Sequence, residues 1–239
     1  MIPDKKVGHA GLSPHRIKSF IRREGRITRG QQRAFQASWP RFGLDISAND
    51  AIDPARLFGR AAPLILEIGF GDGESLAALC ASYPDFNFIG VEVYRPGVGH
   101  LLLRAAELEL RNLRIACADA VEMLEGVLPD ACLDRVQIFF PDPWPKLRHH
   151  KRRLIQPAFA ALLEQKLKRG GQLHLATDCE SYARVAREIL AAIPQLQSRG
   201  SAGGLLERPM DRPPTKYECR AKRLGQDVWE LLFVKSSGC

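Results

Sequence analysis

An α/β fold with a parallel sheet covered on both faces is the class this sequence predicts, and three features predict it. From about residue 62, short apolar runs at 64–68, 86–91, 113–117, 133–140 and 172–176 alternate with helix-patterned segments, which is the pattern of βα units. The runs are nearly continuous in apolar residues, as in strands buried on both sides. A glycine-rich stretch, Gly69 to Gly73, joins the first run to the first helical segment.

Taken in order, residues 1–61 carry no strong period and are expected to form a basic arm with short helices over the sheet. The first 15–20 of them are expected to be disordered. The main domain spans 62–239. Its helices are predicted near 74–82, 97–111, 120–126, 152–168 and 179–192. Residues 194–227 are rich in Pro, Gly and Arg and read as loop, with a short helix near 215–222. The apolar run 228–234 is the predicted last strand. Neither an internal repeat nor a low-complexity segment is present.

Charge is distributed unevenly. The 239 residues carry a net +8, and residues 1–41 hold ten Lys/Arg against two Asp/Glu. The rest of the chain balances at 25 basic and 25 acidic residues. The excess therefore belongs to the arm, where Arg22, Arg23, Arg26, Arg29 and Arg33 lie. Such segments pair with phosphates or anionic lipid. Six cysteines include no CxxC pair, so neither a zinc site nor any other metal site is expected. Apolar settings for several of them suit a reducing cytoplasm. The N-terminus shows no apolar signal region, and no run of about 18 apolar residues exists to span a membrane.

The turn Glu67-Ile68-Gly69-Phe70-Gly71-Asp72-Gly73 is read as strand, tight turn and helix start. Glycine permits positive φ and close backbone approach. A dinucleotide site would prefer G-x-G-x-x-G, whereas here the spacing is G-x-G-x-G. Glu67 and Asp72 would repel a pyrophosphate and suit a cationic ligand, such as the sulfonium and ammonium of S-adenosylmethionine. Glu92 closes the second run, 19 residues after Gly73, where nucleoside folds place a carboxylate on the ribose hydroxyls. Asp119, Asp142 and Asp178 follow the third, fourth and fifth runs. Ligands of open α/β sheets bind outside these strand ends. Asp119 and Asp178 are also candidates for helix N-caps.

One loop is richer still. Phe139-Phe140-Pro141-Asp142-Pro143-Trp144 places a carboxylate between two prolines and beside an aromatic ring. Proline fixes φ, so the loop is expected to be stiff. Lys146, Arg148, Lys151, Arg152 and Arg153 follow with no acid among them. A rigid acid beside a cationic strip suits a nucleobase carried on a phosphate backbone. Trp144 is read as a loop anchor, with base stacking as the alternative, and His174 as a satisfied core histidine. Trp39 and Trp229 are read as core.

These residues resemble a known family. Gly-Arg-Ile-Thr-Arg-Gly-Gln at 25–31, Glu-Ile-Gly-Phe-Gly-Asp-Gly at 67–73, Phe-Phe-Pro-Asp-Pro-Trp at 139–144, Lys-Arg-Arg at 151–153, Thr-Asp at 177–178 and Thr-Lys-Tyr-Glu at 215–218 look like the single-subunit bacterial tRNA (guanine-N7-)-methyltransferases. The resemblance runs from about 20 to 234. It implies a class I S-adenosylmethionine-dependent methyltransferase fold, Rossmann-like, with a mostly parallel sheet and an antiparallel last strand. By position it implies cofactor contacts from Glu67, Gly69, Gly71, Gly73, Glu92, Asp119 and Asp142, with Asp142 catalytic. Lys146, Asp178, Thr215, Lys216, Tyr217 and Glu218 would contact the guanine nucleotide. Arg148, His149, His150, Lys151, Arg152 and Arg153 would touch tRNA. The implied product is 7-methylguanosine at position 46 of the variable loop. A monomer or homodimer in the cytoplasm, with no membrane and no obligatory protein partner, is expected.

Guanine N7 is an unprotonated lone pair, so positioning and electrostatics are expected to outweigh a strong base. Rival readings are a nicotinamide oxidoreductase, a non-catalytic RNA-binding module and an amino-group methyltransferase. The glycine spacing and the row of acids weigh against the first two. The product nucleoside separates the third.

Overall fold

Seven strands make a single sheet among the described residues, which in this computed structural model are 18–20, 25–46, 51–199 and 213–237. The strands are β1 (Leu64–Ile68), β2 (Asn87–Val91), β3 (Leu113–Ala116), β4 (Leu133–Phe139), β5 (Leu167–Thr177), β6 (Leu196–Ser198) and β7 (Trp229–Lys235). They lie in the order β3-β2-β1-β4-β5-β7-β6. The first five are mutually parallel, and β7 runs antiparallel to both β5 and β6. The chain reverses direction across the sheet at β1, between β2 and β4. That switch opens a crevice at the carboxyl ends of the strands. Expected disorder at the N-terminus, and Arg22 and Arg23, fall outside the described residues.

Each sheet face carries its own core. Leu64, Leu66 and Ile68 point to one face, with β4 residues Val136 and Ile138. Helices α5 (Ala120–Gly126), α6 (Pro157–Lys166) and α7 (Glu180–Ala191) pack on it through Leu124, Leu163 and Leu190. Ile65, Phe88 and Ile115 point the other way, toward α1 (Arg29–Phe42), α3 (Glu74–Ser82) and α4 (Arg95–Glu107). The period of two along each strand produces this division. A fully buried Leu or Phe of this kind contributes about 1.5–3 kcal/mol before entropy is subtracted.

Helix α1 begins with a capping box: the Thr28 hydroxyl accepts from the Gln31 amide at 3.2 Å, and Gln31 Oε1 accepts from the Thr28 amide at 2.9 Å. Gln31 also donates to the Pro96 carbonyl at 3.0 Å, tying α1 to the start of α4. Part of the 25–31 motif is thus explained by helix initiation. After α1, Leu44 donates to the Ile115 carbonyl at 2.8 Å beside β3. The short α2 (Pro54–Phe58) is capped by Asp53.

Several details depart from the sequence reading. Residues 194–227 contain the edge strand β6 as well as α8 (Lys216–Arg223). The segment 152–168 is divided between the end of a 3-10 helix (Leu147–Arg152), α6 and the first residues of β5. Strand β5 begins at Leu167, five residues before the apolar run. Its register against β4 jumps from Leu133↔Leu167 to Arg135↔Gln172, and Gly170 takes φ +76° within the irregularity. Trp39 and Trp229 are half-buried rather than central to the core.

Candidate active site

The crevice at the switch point is a cleft of about 760 Å³. Its floor is the glycine turn after β1. Gly69 and Gly71 have φ of +76° and +64°, and a Cβ on either would meet no atom within 4 Å. The backbone is therefore bare where it faces the cleft. Gly73, at φ +80°, precedes α3 and abuts Leu101 instead, so its role is to turn the chain.

Glu92 ties the second strand to this turn. Its Oε1 accepts from the amides of Val93 at 2.7 Å and Tyr94 at 3.0 Å, and Oε2 accepts from Gly71 at 3.0 Å. A carboxylate offers about four acceptor directions, which leaves room for a ligand hydroxyl. Burial raises the Glu92 carboxyl above its ordinary value, the three amides oppose that, and Asp142 adds to the rise. Asp119 caps α5, accepting from Val121 at 3.0 Å, while also lining the cleft. The cap does not take Asp119 out of the cleft. Asp178 is exposed and does not cap α7, whose N-cap is Cys179.

Asp142 lines the cleft and is exposed. The residues bracketing it, Phe140 and Trp144, have φ of +51° and +45°. Bulky residues in that region are strained, and such outliers gather at functional sites. Three contacts hold the bend: Phe140 donates to Ala176 O at 2.7 Å, Trp144 Nε1 to Ser19 O at 3.1 Å and Arg153 Nε to Pro143 O at 2.9 Å. Trp144 also meets His149 edge-on and lies under Arg152 at 5.0 Å. Its indole thus anchors the loop.

On the far wall, Lys216 and Tyr217 of α8 face the glycine turn. Lys216 pairs with Asp72 at 2.8 Å. Burial pushes the Asp72 carboxyl up, but Lys216 outweighs it and brings the group below its usual value. Tyr217 stacks on Phe140 at 6.0 Å. A side recess of about 110 Å³ holds Glu67, Gly69 and Thr215. Thr215 is the N-cap of α8 and accepts from the Glu218 amide at 3.1 Å. Glu218 is buried, pairs with Lys222 at 2.9 Å and lines neither the cleft nor the recess.

The 3-10 helix carries Arg148, His149, His150, Lys151 and Arg152, following Lys146. Lys146, Arg148 and Lys151 are exposed; His149, His150 and Arg152 are half-buried. Desolvation lowers the His149 pKa, and Arg148, Arg152, Lys146 and Lys151 lower it further. Arg153 corrects the sequence reading. It is only 2% exposed and bonds inward, so it is not on this cationic surface. Sequence reasoning also missed His100, whose Nδ1 lies 2.9 Å from the Asp72 carbonyl on the cleft wall, and Gly97, which packs on the glycine turn. The Arg95-Pro96-Gly97 helix start was the available signal for Gly97. His174 is a buried partner of Glu230 at 2.6 Å, as expected for a satisfied core histidine. Among the described residues no cluster of His, Cys, Asp or Glu could hold a metal, and no helix is long and apolar enough to cross a membrane.

A bare glycine turn, a carboxylate at the end of β2, another after β3 and a fourth-strand acid beside the opening fit a nucleoside with a cationic tail. Sheet order and site together define a class I S-adenosylmethionine-dependent methyltransferase fold. Among solved structures, the 16S rRNA methyltransferase KamB superposes with a TM-score of 0.58 at 15% identity, covering 82% of this chain and 98% of that one. The 16S rRNA (adenine(1408)-N(1))-methyltransferase from Catenulisporales acidiphilia gives 0.51 at 16% identity, covering 81% and 97%. A family model described as "Putative methyltransferase" matches residues 61–231. The tRNA (guanine-N(7)-)-methyltransferase of Methylococcus capsulatus is 51% identical over 223 residues, 93% of this chain and 96% of that protein. That of Halorhodospira halophila is 50% identical over 220 residues, 92% and 95%. The chain belongs to the tRNA (guanine-N(7)-)-methyltransferase family.

Proposed function

We propose that this protein transfers a methyl group from S-adenosylmethionine to N7 of guanine in tRNA, at position 46 of the variable loop. The observation that carries the reading is half-identity over nine-tenths of the chain to proteins of that name, with Asp142 on a loop flanked by strained residues and lining the cleft. When bound, the cofactor supplies an electrophilic methyl on a sulfonium.

The chain's own residues do the rest. Glu92 would accept from the ribose hydroxyls, and Asp119 would offer an acceptor to the adenine. Gly69 and Gly71 let the ligand lie against backbone. Asp142, lining the cleft, would favour the positive charge that arrives on the purine as N7 is alkylated. N7 carries no proton, so no side chain has to remove one first. Lys146 and Asp178, exposed and outside the cleft lining, would orient the guanine, together with Lys216 and Tyr217, which line it. Arg148, Lys151 and Arg152, with His149 and His150, engage phosphates beside the reacting base. An RNA helix hides its major-groove edge, so the target must be a base opened out of the stack.

The test is incubation of the protein with unmodified tRNA and methyl-labelled S-adenosylmethionine, then digestion and identification of the nucleoside. 7-Methylguanosine from the variable loop is the expected product. Label on an exocyclic amine, or in another arm of the tRNA, refutes the assignment.

A further inference from the structure

We infer that Arg153 is a positioning residue, a buried guanidinium that sets the Asp142 loop against the start of α7. The inference rests on the proposed methyl transfer and assigns Arg153 away from the RNA surface that its neighbours form. Nε donates to the Pro143 carbonyl at 2.9 Å, one residue beyond Asp142. Nη1 and Nη2 donate to the Ser181 carbonyl at 3.4 Å and the Ser181 hydroxyl at 3.3 Å. Ser181 lies three residues after Asp178. One planar fork therefore spans the two chain segments that carry Asp142 and Asp178.

The surroundings keep the fork in place. Its Cζ lies 5.1 Å from the centre of the Tyr182 ring, which is fully buried. The Tyr182 hydroxyl accepts from the Ile155 amide at 3.1 Å, and burial raises its pKa far above the physiological range, so it stays neutral. Gln156 donates to the carbonyls of His150 and Arg153 at 3.0 and 3.3 Å, fixing the backbone on either side. Burying a guanidinium is costly unless its hydrogen bonds are met. Here three neutral acceptors and an aromatic face surround it, and at 2% exposure it is turned away from the solvent side where a phosphate would approach. Loop strain at Phe140 and Trp144 gives the residue a task. A bend with two left-handed bulky residues needs an outside fastening, and Arg153 supplies it at Pro143. Lysine, a point charge without the fork, cannot reach both segments at once.

Steady-state kinetics on R153K, S181A and K151A, over a range of salt, test the assignment. R153K is expected to lose about 10-fold or more in kcat with tRNA KM within twofold and an unchanged salt slope. K151A should instead raise KM and flatten the log–log salt slope by roughly 0.7–0.9. An R153K enzyme that behaves like K151A overturns the proposal. Should R153K melt early, S181A decides, because it removes one hydroxyl only. A kcat loss of about threefold at constant KM is expected, and wild-type kcat overturns the idea. Amide hydrogen exchange at Asp142, Trp144 and Lys146 gives a readout independent of turnover. It should quicken in R153K and S181A but not in K151A, and unchanged exchange in R153K also refutes the role. Failure of the unmodified protein to methylate guanine N7 would refute the proposed function instead, leaving the exchange result to decide Arg153.

Discussion

At the scale of single residues, the roles proposed for Asp142 and Glu92 each yield a test. If Asp142 acts through charge, Asp142→Asn keeps size and loses the acting group. We expect a kcat loss of about 10²-fold or more, the size found for one removed electrostatic donor, with tRNA affinity nearly unchanged. A raised tRNA KM with kcat unchanged would place Asp142 in ground-state binding instead. Glu92 is a matter of pH. Its folded pKa lies above the ordinary glutamate value because the group is buried. Ionisation is thus the costlier state of the folded protein, and a proton is taken up at higher pH than in an open chain. The stability contributed by the protonated form is present in acid and lost as pH rises through the folded pKa. Ligand binding runs the other way, since hydroxyl donors need the carboxylate. Cofactor affinity, measured by calorimetry from pH 7 downward, should decline at a pH above the usual glutamate range, and Glu92→Gln should flatten that decline. The carboxylates themselves were legible in the sequence, because strand ends are where such ligands bind. What was not legible was whether each side chain reaches the cleft. Glu218 reads as a guanine acceptor by motif, yet on α8 its side chain is buried and pairs with the exposed Lys222. Arg153 reads as one more cation in a basic run, yet it turns inward to Pro143 and Ser181. Burial of one member of a charged run depends on partners 10 and 28 residues away, which local pattern does not encode.

At the scale of elements, α4 and the glycine turn form one unit. A Cβ on Gly97 would lie 1.9 Å from the Gly71 carbonyl oxygen, a backbone atom that no side-chain rotation can clear. Helix and turn must separate if that position gains a methyl group. Gly97→Ala should therefore destabilise by about 1–3 kcal/mol, the range for overpacking, and weaken the cofactor about 10-fold by moving the amide of Gly71 from Glu92. Gly126 is the matched control. It ends α5, and a Cβ there meets nothing within 4 Å. Gly126→Ala should be neutral or stabilising by up to about 1 kcal/mol from helix propensity. Thermal melts with and without S-adenosylhomocysteine compare the two, and a Gly97→Ala protein that melts and binds like the unmodified one would show that α4 can shift without consequence. The same scale explains where the elements were readable. Apolar runs bounded by turn residues gave β1 to β4 within a residue or two. Strand β5 was read short because its first residues, Leu167 to Gly171, are two cations and two glycines after a leucine. Strand β6 is three residues long, with only Leu196 buried. Its existence depends on pairing with β7, a contact nearly forty residues ahead in the chain.

For the molecule as a whole, the cofactor and RNA sites proposed above differ in electrostatic character. Acids at the ends of β2, β3 and β4 line the cleft, while the cationic 3-10 helix lies immediately after it. The net +8 of the chain is no guide to the cleft, since residues beyond 41 balance in charge. Salt should therefore separate the two ligands. Binding of tRNA releases counterions, with each phosphate contact adding roughly 0.7–0.9 to the log–log slope. Four contacts from Lys146, Arg148, Lys151 and Arg152 would give a slope near −3, so a fourfold rise in salt should weaken tRNA on the order of 50-fold. Arginines of the arm that also reach the RNA, such as Arg26 and Arg29, would steepen it further. Cofactor binding buries few mobile counterions and is held by fixed amides and carboxylates, so its Kd should move less than about twofold over the same range. Filter binding for tRNA and calorimetry for S-adenosylhomocysteine, in parallel from 50 to 200 mM salt, measure both. A flat response for tRNA would move the RNA surface away from the 3-10 helix. A steep response for the cofactor would mean that exposed charge, with Lys216 beside Asp72 the nearest source, carries binding proposed for Glu92 and Asp119.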